Sequence, residues 1–188
     1  MDQTRFWVKL SDGRTATEKT QWVEPLDQLI GSESVAFGWI DLQAPYAVDL
    51  EEIQAKFGLH PHAIEDCRTF DQRAKLESFS NHWFWVFHGS ELSDKNDLEL
   101  SEVHAFLTPK WLITVHQGAV ESLDRLGTEW QVRHAQTLTT PVHLWAALIG
   151  ALVEQHSQTL SQLSELLEKL DDDIASRHRM AQIDRIHH

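Results

Sequence analysis

The last proline of the chain, Pro141, leaves about 48 residues to run without interruption, and a continuous helix over them reaches roughly 70 Å. A body built from the remaining residues is narrower than that, so such a helix must leave the body on which it starts. Positions Trp145, Ile149, Leu152, His156, Leu160, Leu163, Leu167, Leu170 and Ile174 step mostly by four and three. That spacing marks the seam of a coiled coil or of a long antiparallel helix pair. The chain is therefore expected to divide into a body over residues 1–140 and the start of a stalk helix over residues 141–188.

In the body, Phe6 to Leu10 alternates as a strand and Ser11-Asp12-Gly13-Arg14 carries hairpin-turn chemistry, so the fold is expected to begin on a sheet edge. Trp22-Val23 reads as a strand end, Pro25 to Ile30 as a short helix and Val35 to Leu42 as a buried strand. Trp83 to His88 is the next strand, and Glu91 to Leu98 is a polar connection. Ser101 to Thr108 pairs with Trp111 to Gln117 across Pro109-Lys110. Leu123, Leu126 and Trp130 place an amphipathic helix over Val120 to Arg133, weakened slightly by Gly127. Strands alternating with helices imply an α/β (α+β) fold, a mixed sheet flanked by helices on both faces and followed by the long C-terminal helix.

Between these strands lies Asp49 to Phe79, the densest run of local signals. Asp49 and Glu52 read as an N-cap and an N3 acid, Leu50, Ile53 and Phe57 share one helical face, and Gly58 offers a left-handed stop. Pro61 then opens a second helix, on which Ile64 faces inward and Glu65 and Asp66 follow side by side. Adjacent helical positions point about 100° apart, so these two carboxylates reach different neighbouring surfaces and do not chelate one ion together. Beyond Lys75 the alternation of apolar residues takes period two, the entry into the sheet.

Composition narrows the function classes. With 188 residues, 41% hydrophobic and 24% charged, the chain can bury a substantial core. The lone Cys67 excludes an internal disulfide, and no secretory leader opens the sequence, which points to a reducing cytoplasm. Its longest apolar run, Leu144 to Val153, is about half of what a membrane helix requires, so this stretch of sequence is not expected to cross a bilayer. A net charge of −13, from 16 Lys and Arg against 29 Asp and Glu, argues against nucleic acid and makes cations the natural partners. Solubility is the ordinary role of such a surface.

The 12 histidines, His60 and His62 among them, lack the spacing of a closed tetrahedral zinc site and fit capping, packing and surface roles. The eight tryptophans fit core and interface burial. Glu165, Glu168, Asp171, Asp172 and Asp173 form a solvated helix face, although acids at that density weaken a helix unless a cation relieves them.

Several runs carry a resemblance. Trp39-Ile40-Asp41-Leu42, Asp49-Leu50, Gly58-Leu59-His60-Pro61 with Ile64-Glu65-Asp66, and Gln72-Arg73-Ala74-Lys75-Leu76-Glu77 together resemble the cytoplasmic domain of the CorA family of divalent-cation transporters. Glu102-Val103-His104 with Phe106-Leu107, followed by Leu112 to His116, is similar to the family's central hairpin, and Ala151-Leu152-Val153 to the start of its stalk helix. The pattern spans residues 37 to 175. It departs from the family at Ala74, where proline is usual, and at Gly150 and Gln155, where acids are common. The family's membrane helices and Gly-Met-Asn pore signature do not occur in it.

The resemblance implies a non-enzymatic regulatory domain of a magnesium or cobalt channel, on the cytoplasmic face of the inner membrane. Its full-length protein would be a homopentamer gated by intracellular Mg²⁺ at subunit interfaces, with Co²⁺ or other divalent ions as alternatives. The candidate metal ligands are Asp66 and Glu65, with Glu154, Asp171, Asp172 and Asp173 as secondary candidates. The adjacent acids place it nearer the magnesium branch than the zinc-exporting one. Two other classes stay open: a metal-dependent hydrolase using Glu65 and Asp66, and a non-catalytic oligomerising adaptor. The first lacks a glycine-rich phosphate loop, a nucleophile elbow and further grouped carboxylates.

Overall fold

The structure, a computed structural model, describes residues 3–10, 15–20, 30–130 and 139–186. The elements are β1 (Gln3–Leu10), β2 (Thr15–Thr20), β3 (Val35–Gln43), α1 (Ala47–Phe57), α2 (Pro61–Thr69), β4 (Lys75–Ser78), β5 (Trp83–Leu92), β6 (Leu98–Leu107), β7 (Trp111–His116), α3 (Glu121–Glu129) and α4 (Pro141–Ile186). The strands form one seven-stranded sheet in the order β2-β1-β3-β7-β6-β5-β4. Neighbours pair antiparallel except β3 and β7 at the centre, which run parallel with Gly38 opposite Trp111 and Gln43 opposite His116. The mixed sheet, its flanking helices and the long last helix agree with the expected fold class.

Period two along each strand separates two cores. On one face Phe6, Val8, Ile40, Leu42, Phe84, Val86, Phe106, Ile113 and Val115 meet Leu50 and Ile53 of α1 and Ala63, Ile64 and Cys67 of α2. On the other, Trp7, Phe37, Trp39, Phe87, Val103 and Leu112 meet Leu123 and Leu126 of α3 and Leu144, Leu148 and Leu152 of α4. Tryptophans serve this second core: Trp7 stacks on Trp39 with ring centroids 4.2 Å apart, and Trp85 packs on Trp145 at 4.4 Å.

Four expectations change. Asp49 is not the N-cap of α1: the helix starts after Tyr46, whose backbone N–H donates to the Asp49 carboxylate at 2.8 Å, so the acid acts from the first turn. The sheet edge is β2, with β1 inside it. The connection read over Glu91 to Leu98 is shorter, because β5 and β6 stay paired out to Leu92 and Leu98. Lastly, the first turns of α4 belong to the body and not to a free seam: Leu144, Leu148, Leu152, Gln155 and Thr159 are buried on it, and Trp145 and Ile149 pack partly buried against the same core. Thr159 Oγ1–H donates to the Ser90 carbonyl at 2.8 Å, and beyond it Leu160, Leu167, Leu170 and Ile174 are exposed as the helix projects away. The Ser11 to Arg14 turn, Trp22-Val23, most of Pro25 to Ile30 and the end of the helix read to Arg133 lie outside the described residues.

The centre of the second core holds buried charge. Arg5 Nε–H and Nη2–H donate to Asp41 Oδ2 at 3.0 and 2.5 Å, and Arg5 also pairs with Asp124 of α3. Asp41 Oδ1 accepts from the Thr114 hydroxyl at 2.5 Å and from His116 Nε2–H at 3.1 Å, and His116 Nδ1–H donates to the Gly118 carbonyl at 2.5 Å. Both ring nitrogens of His116 thus donate. Burial disfavours a charged ring, yet the hydrogen bond and charge of Asp41 hold the His116 pKa above 6.5. Burial opposes the Asp41 carboxylate too, but His116, Arg5 and Thr114 bring its pKa below 3.8.

Two outcomes follow from this packing. Gly127 belongs to α3 because a Cβ there would lie 2.5 Å from Trp7 Cζ2, within a ring stacked on Trp39. Helix propensity favours Gly127→Ala by about 1 kcal/mol, whereas overpacking a closed core costs about 1–3 kcal/mol. The variant should be less stable in urea denaturation, and a stabilised one would show that the ring shifts freely. For His116, a raised pKa contributes stability that is complete below pH 6.5 and lost as pH rises through the folded-state value. His82 and His104, whose pKa values burial lowers, act with the opposite sign, so the informative quantity is a difference between proteins. The gap in urea midpoint between the parent and His116→Gln should be widest in mild acid and shrink as pH rises above 6.5 through the folded-state value. A gap constant over that range would mean that His116 is not charged in the fold.

Candidate functional site

The turn between α1 and α2 is held tightly. Gly58 ends α1 in the left-handed conformation at φ 62° and returns its N–H to the Gln54 carbonyl, while Asn81 Nδ2 donates to the Phe57 and Gly58 carbonyls at 3.1 and 3.0 Å. His60 caps α2 by accepting from the His62 backbone N–H at 3.3 Å, and Pro61 follows where its missing N–H costs nothing. Ala63, Ile64 and Cys67 take the inward face of α2. Glu65 and Asp66 are therefore left on its outer side.

The two acids diverge as their spacing requires. Glu65, whose side chain is 63% exposed, pairs with Arg68 at 3.3 Å, and Arg68 also reaches Glu51 at 3.2 Å. Asp66, only 19% exposed, points the other way, toward β4, where Lys75 Nζ donates to its Oδ2 at 2.7 Å. The same ammonium donates to Glu77 Oε1 at 3.2 Å. Asp66, Lys75 and Glu77, with His60, His62 and Phe79, line an open cleft of about 340 Å³. Lys75 and Glu77 were not singled out as site residues from the sequence. The available signal was their period-two placement on one side of β4.

The other candidates lie apart. Glu154 is held by Arg125 of α3 at 2.9 Å, and Asp171, Asp172 and Asp173 are exposed on the projecting part of α4. Gln155, 7% exposed, is turned toward Gly89 of β5 and away from any accessible surface. Among the described residues, no three or more His, Cys, Asp or Glu side chains form a ready metal site. A divalent ion here would thus meet carboxylates one or two at a time and keep water on its remaining positions. Magnesium is commonly held by one or two carboxylates with its remaining positions on water, and Asp66 and Glu77 each place an oxygen on the Lys75 ammonium.

Behind α2 lies a second polar group. Glu102 accepts from the Gln72 backbone N–H at 3.2 and 3.1 Å and from His104 Nε2–H at 2.5 Å, while His104 Nδ1 accepts from the Cys67 thiol at 3.1 Å. Burial pulls the His104 pKa down despite Glu102 and pushes the Cys67 thiol well up. A protonated thiol beside a neutral imidazole is a structural tie between α2 and β6, not an activated nucleophile.

The sequence and the fold have known counterparts. A family model described as CorA-like Mg2+ transporter protein matches residues 34–188. The chain belongs to the CorA-like family. This CorA-like chain is 24% identical over 155 residues to the cobalt/magnesium transport protein CorA of Thermotoga maritima, covering 79% of the chain and 43% of that protein. It is also 24% identical over 138 residues to the putative metal ion transporter YfjQ of Bacillus subtilis, covering 73% of the chain and 42% of that protein. It thus spans less than half the length of these relatives. The soluble domain of CorA from Methanocaldococcus jannaschii has the same fold, with a TM-score of 0.70 over 92% of this chain and 64% of that one at 14% identity. Among the described residues, no helix of this CorA-like chain is long and apolar enough to cross a membrane.

Proposed function

We propose that the chain is the metal-sensing cytoplasmic domain of a divalent-cation channel that assembles as a homopentamer at the inner membrane, and that Asp66 lies at the subunit boundary where intracellular Mg²⁺ is sensed. The observation that carries this reading is the direction of Asp66: α2 turns it out of its own core while its partner Lys75 already occupies it with a cation. Membership in the CorA-like family supplies the transport context.

Bound Mg²⁺ supplies positive charge that lets carboxylates of two subunits approach. Asp66 presents the charge to be neutralised, and α2, pinned by its cap and by the Cys67 tie, keeps that charge in a fixed place. When Asp66 and the acids of a neighbouring α4 are unshielded they repel and loosen the ring; when shielded they favour the closed pore. Sensing is then negative feedback, and one or two direct ligands give the weak affinity that suits an abundant, strongly hydrated ion. Ion binding at this boundary and pore closure must stabilise each other equally. On this reading the exposed leucines of α4 belong to a coiled-coil stalk.

The decisive variant is Asp66→Asn in the full-length protein. Loss of one partly exposed ion pair costs less than about 1 kcal/mol, so circular dichroism should show an intact fold. Uptake of Mg²⁺ should persist at internal concentrations that silence the parent. Closure at the parent's threshold would remove Asp66 as an essential sensor. The 188-residue chain itself should be monomeric or form small, concentration-dependent oligomers in light scattering, because the proposed pore helices hold the ring. A tight pentamer at micromolar concentration would place the assembly energy in this domain instead.

A further inference from the structure

Asp66 and Glu77 lie on different elements, α2 and β4, yet both place a carboxylate oxygen on one ammonium, at 2.7 and 3.2 Å. Two carboxylates converging on one cation is what a hydrated divalent ion would require of this cleft, and the chain fills that position with its own side chain. We infer that Lys75 is a tethered competitor for the Asp66 site: its ammonium occupies the place a divalent ion must take, and the need to displace it sets the concentration at which the site responds. The inference rests on the reading of Asp66 as an ion-sensing residue and adds a second residue to it.

Three observations give Lys75 this role. The first is charge. With the ammonium in place, Asp66, Lys75 and Glu77 keep one net negative charge; replacing the ammonium by a divalent ion neutralises the carboxylates fully. A monovalent occupant therefore yields to a divalent one, but only above a threshold. The second is freedom. Lys75 begins β4, a strand at the edge of the sheet, and its side chain is 31% exposed, so the ammonium can swing into solvent while the backbone stays paired with Val86. The third is the resting place. The ammonium sits 5.7 Å from the centroid of the Phe84 ring, an attraction that adds to the two ion pairs and holds it in the cleft when no ion competes.

An edge lysine has an ordinary role as well, since charge on an edge strand discourages pairing with another chain. That role predicts aggregation when Lys75 is replaced and no change in ion affinity. The competitor role predicts tighter ion binding.

The test is Mn²⁺ binding to the 188-residue chain at low ionic strength, read from the free-ion electron paramagnetic resonance signal, with folding checked by circular dichroism. Lys75→Met keeps the stem over Phe84 and removes the charge. It should bind Mn²⁺ on the order of tenfold more tightly than the parent, the scale of removing one unit charge a few ångströms away. Lys75→Arg, which keeps the charge, should show no gain, and Lys75→Met combined with Asp66→Asn should lose the gain. Lys110→Met changes net charge equally from the exposed β6–β7 turn and should leave binding as in the parent. An equal gain in Lys110→Met, or no gain in Lys75→Met where Asp66→Asn still weakens binding, overturns the competitor role and leaves the sensing role of Asp66 standing. Binding indistinguishable among the parent, Asp66→Asn and Lys75→Met overturns the competitor role and leaves the sensing role of Asp66 to the uptake measurement on the full-length protein.

Discussion

The sheet is organised around one buried carboxylate. Asp41 sits on the central strand β3, fully enclosed, and its two oxygens are shared among Arg5 of β1 and Thr114 and His116 of β7. An uncompensated charge at that depth would cost several kcal/mol, so the strands must stand in the one register that brings all three donors to it. The parallel pairing of β3 with β7 is the least local strand contact in the sheet, with α1, α2 and three further strands between the two in sequence. Register there matters most, since a slip of one residue would turn Asp41 into the opposite core, away from all three donors. Arg5 extends the same network to Asp124, which ties α3 to the sheet.

From that anchored centre the structure grades outward to the parts that would act. Helices α1 and α2 close the first core with aliphatic side chains, and the turn between them is fixed by Gly58, Asn81 and His60. Rigid backbone is thereby placed directly beneath Asp66. The cleft that Asp66 shares with Lys75 and Glu77 opens at β4, a four-residue edge strand with one neighbour. On the proposed reading, a stiff carboxylate facing a movable ammonium would respond to ions at little cost to the fold, because neither core need reorganise. The α4 helix divides in the same way: its first turns are docked by leucines on the second core, and beyond Thr159 it extends with Leu160, Leu167, Leu170 and Ile174 exposed.

Legibility from the sequence differed by element, and the range of the deciding interactions explains the difference. Gly58, Pro61 and the alternation of β5 to β7 act within a few residues of themselves, and the elements they predict are present. The divergence of Glu65 and Asp66 was legible because helix geometry alone sets it. The docking of α4 is less legible: Trp145 and Ile149 share the four-and-three spacing of Leu144 and Leu148, and only the sheet's second face decides that the leucines are buried and the other two packed at their margin. Asp49 fits a cap in the sequence because local pattern does not distinguish the residue before a helix from one in its first turn.

By itself the sequence determined a mixed α/β body, a long departing helix, and a pair of acids set on the outer side of a short capped helix, all consequences of backbone propensity and apolar periodicity. It also carried the family relationship, which rests on distributed motifs. Only the tertiary structure decided that Asp41 is the charged centre of the core, that Glu154 is tied to Arg125, and that Asp66 meets Lys75 and Glu77 across a cleft. The reason is that an ion pair is a through-space contact between side chains on separate elements. No periodicity records which acid will face which base until the sheet has closed.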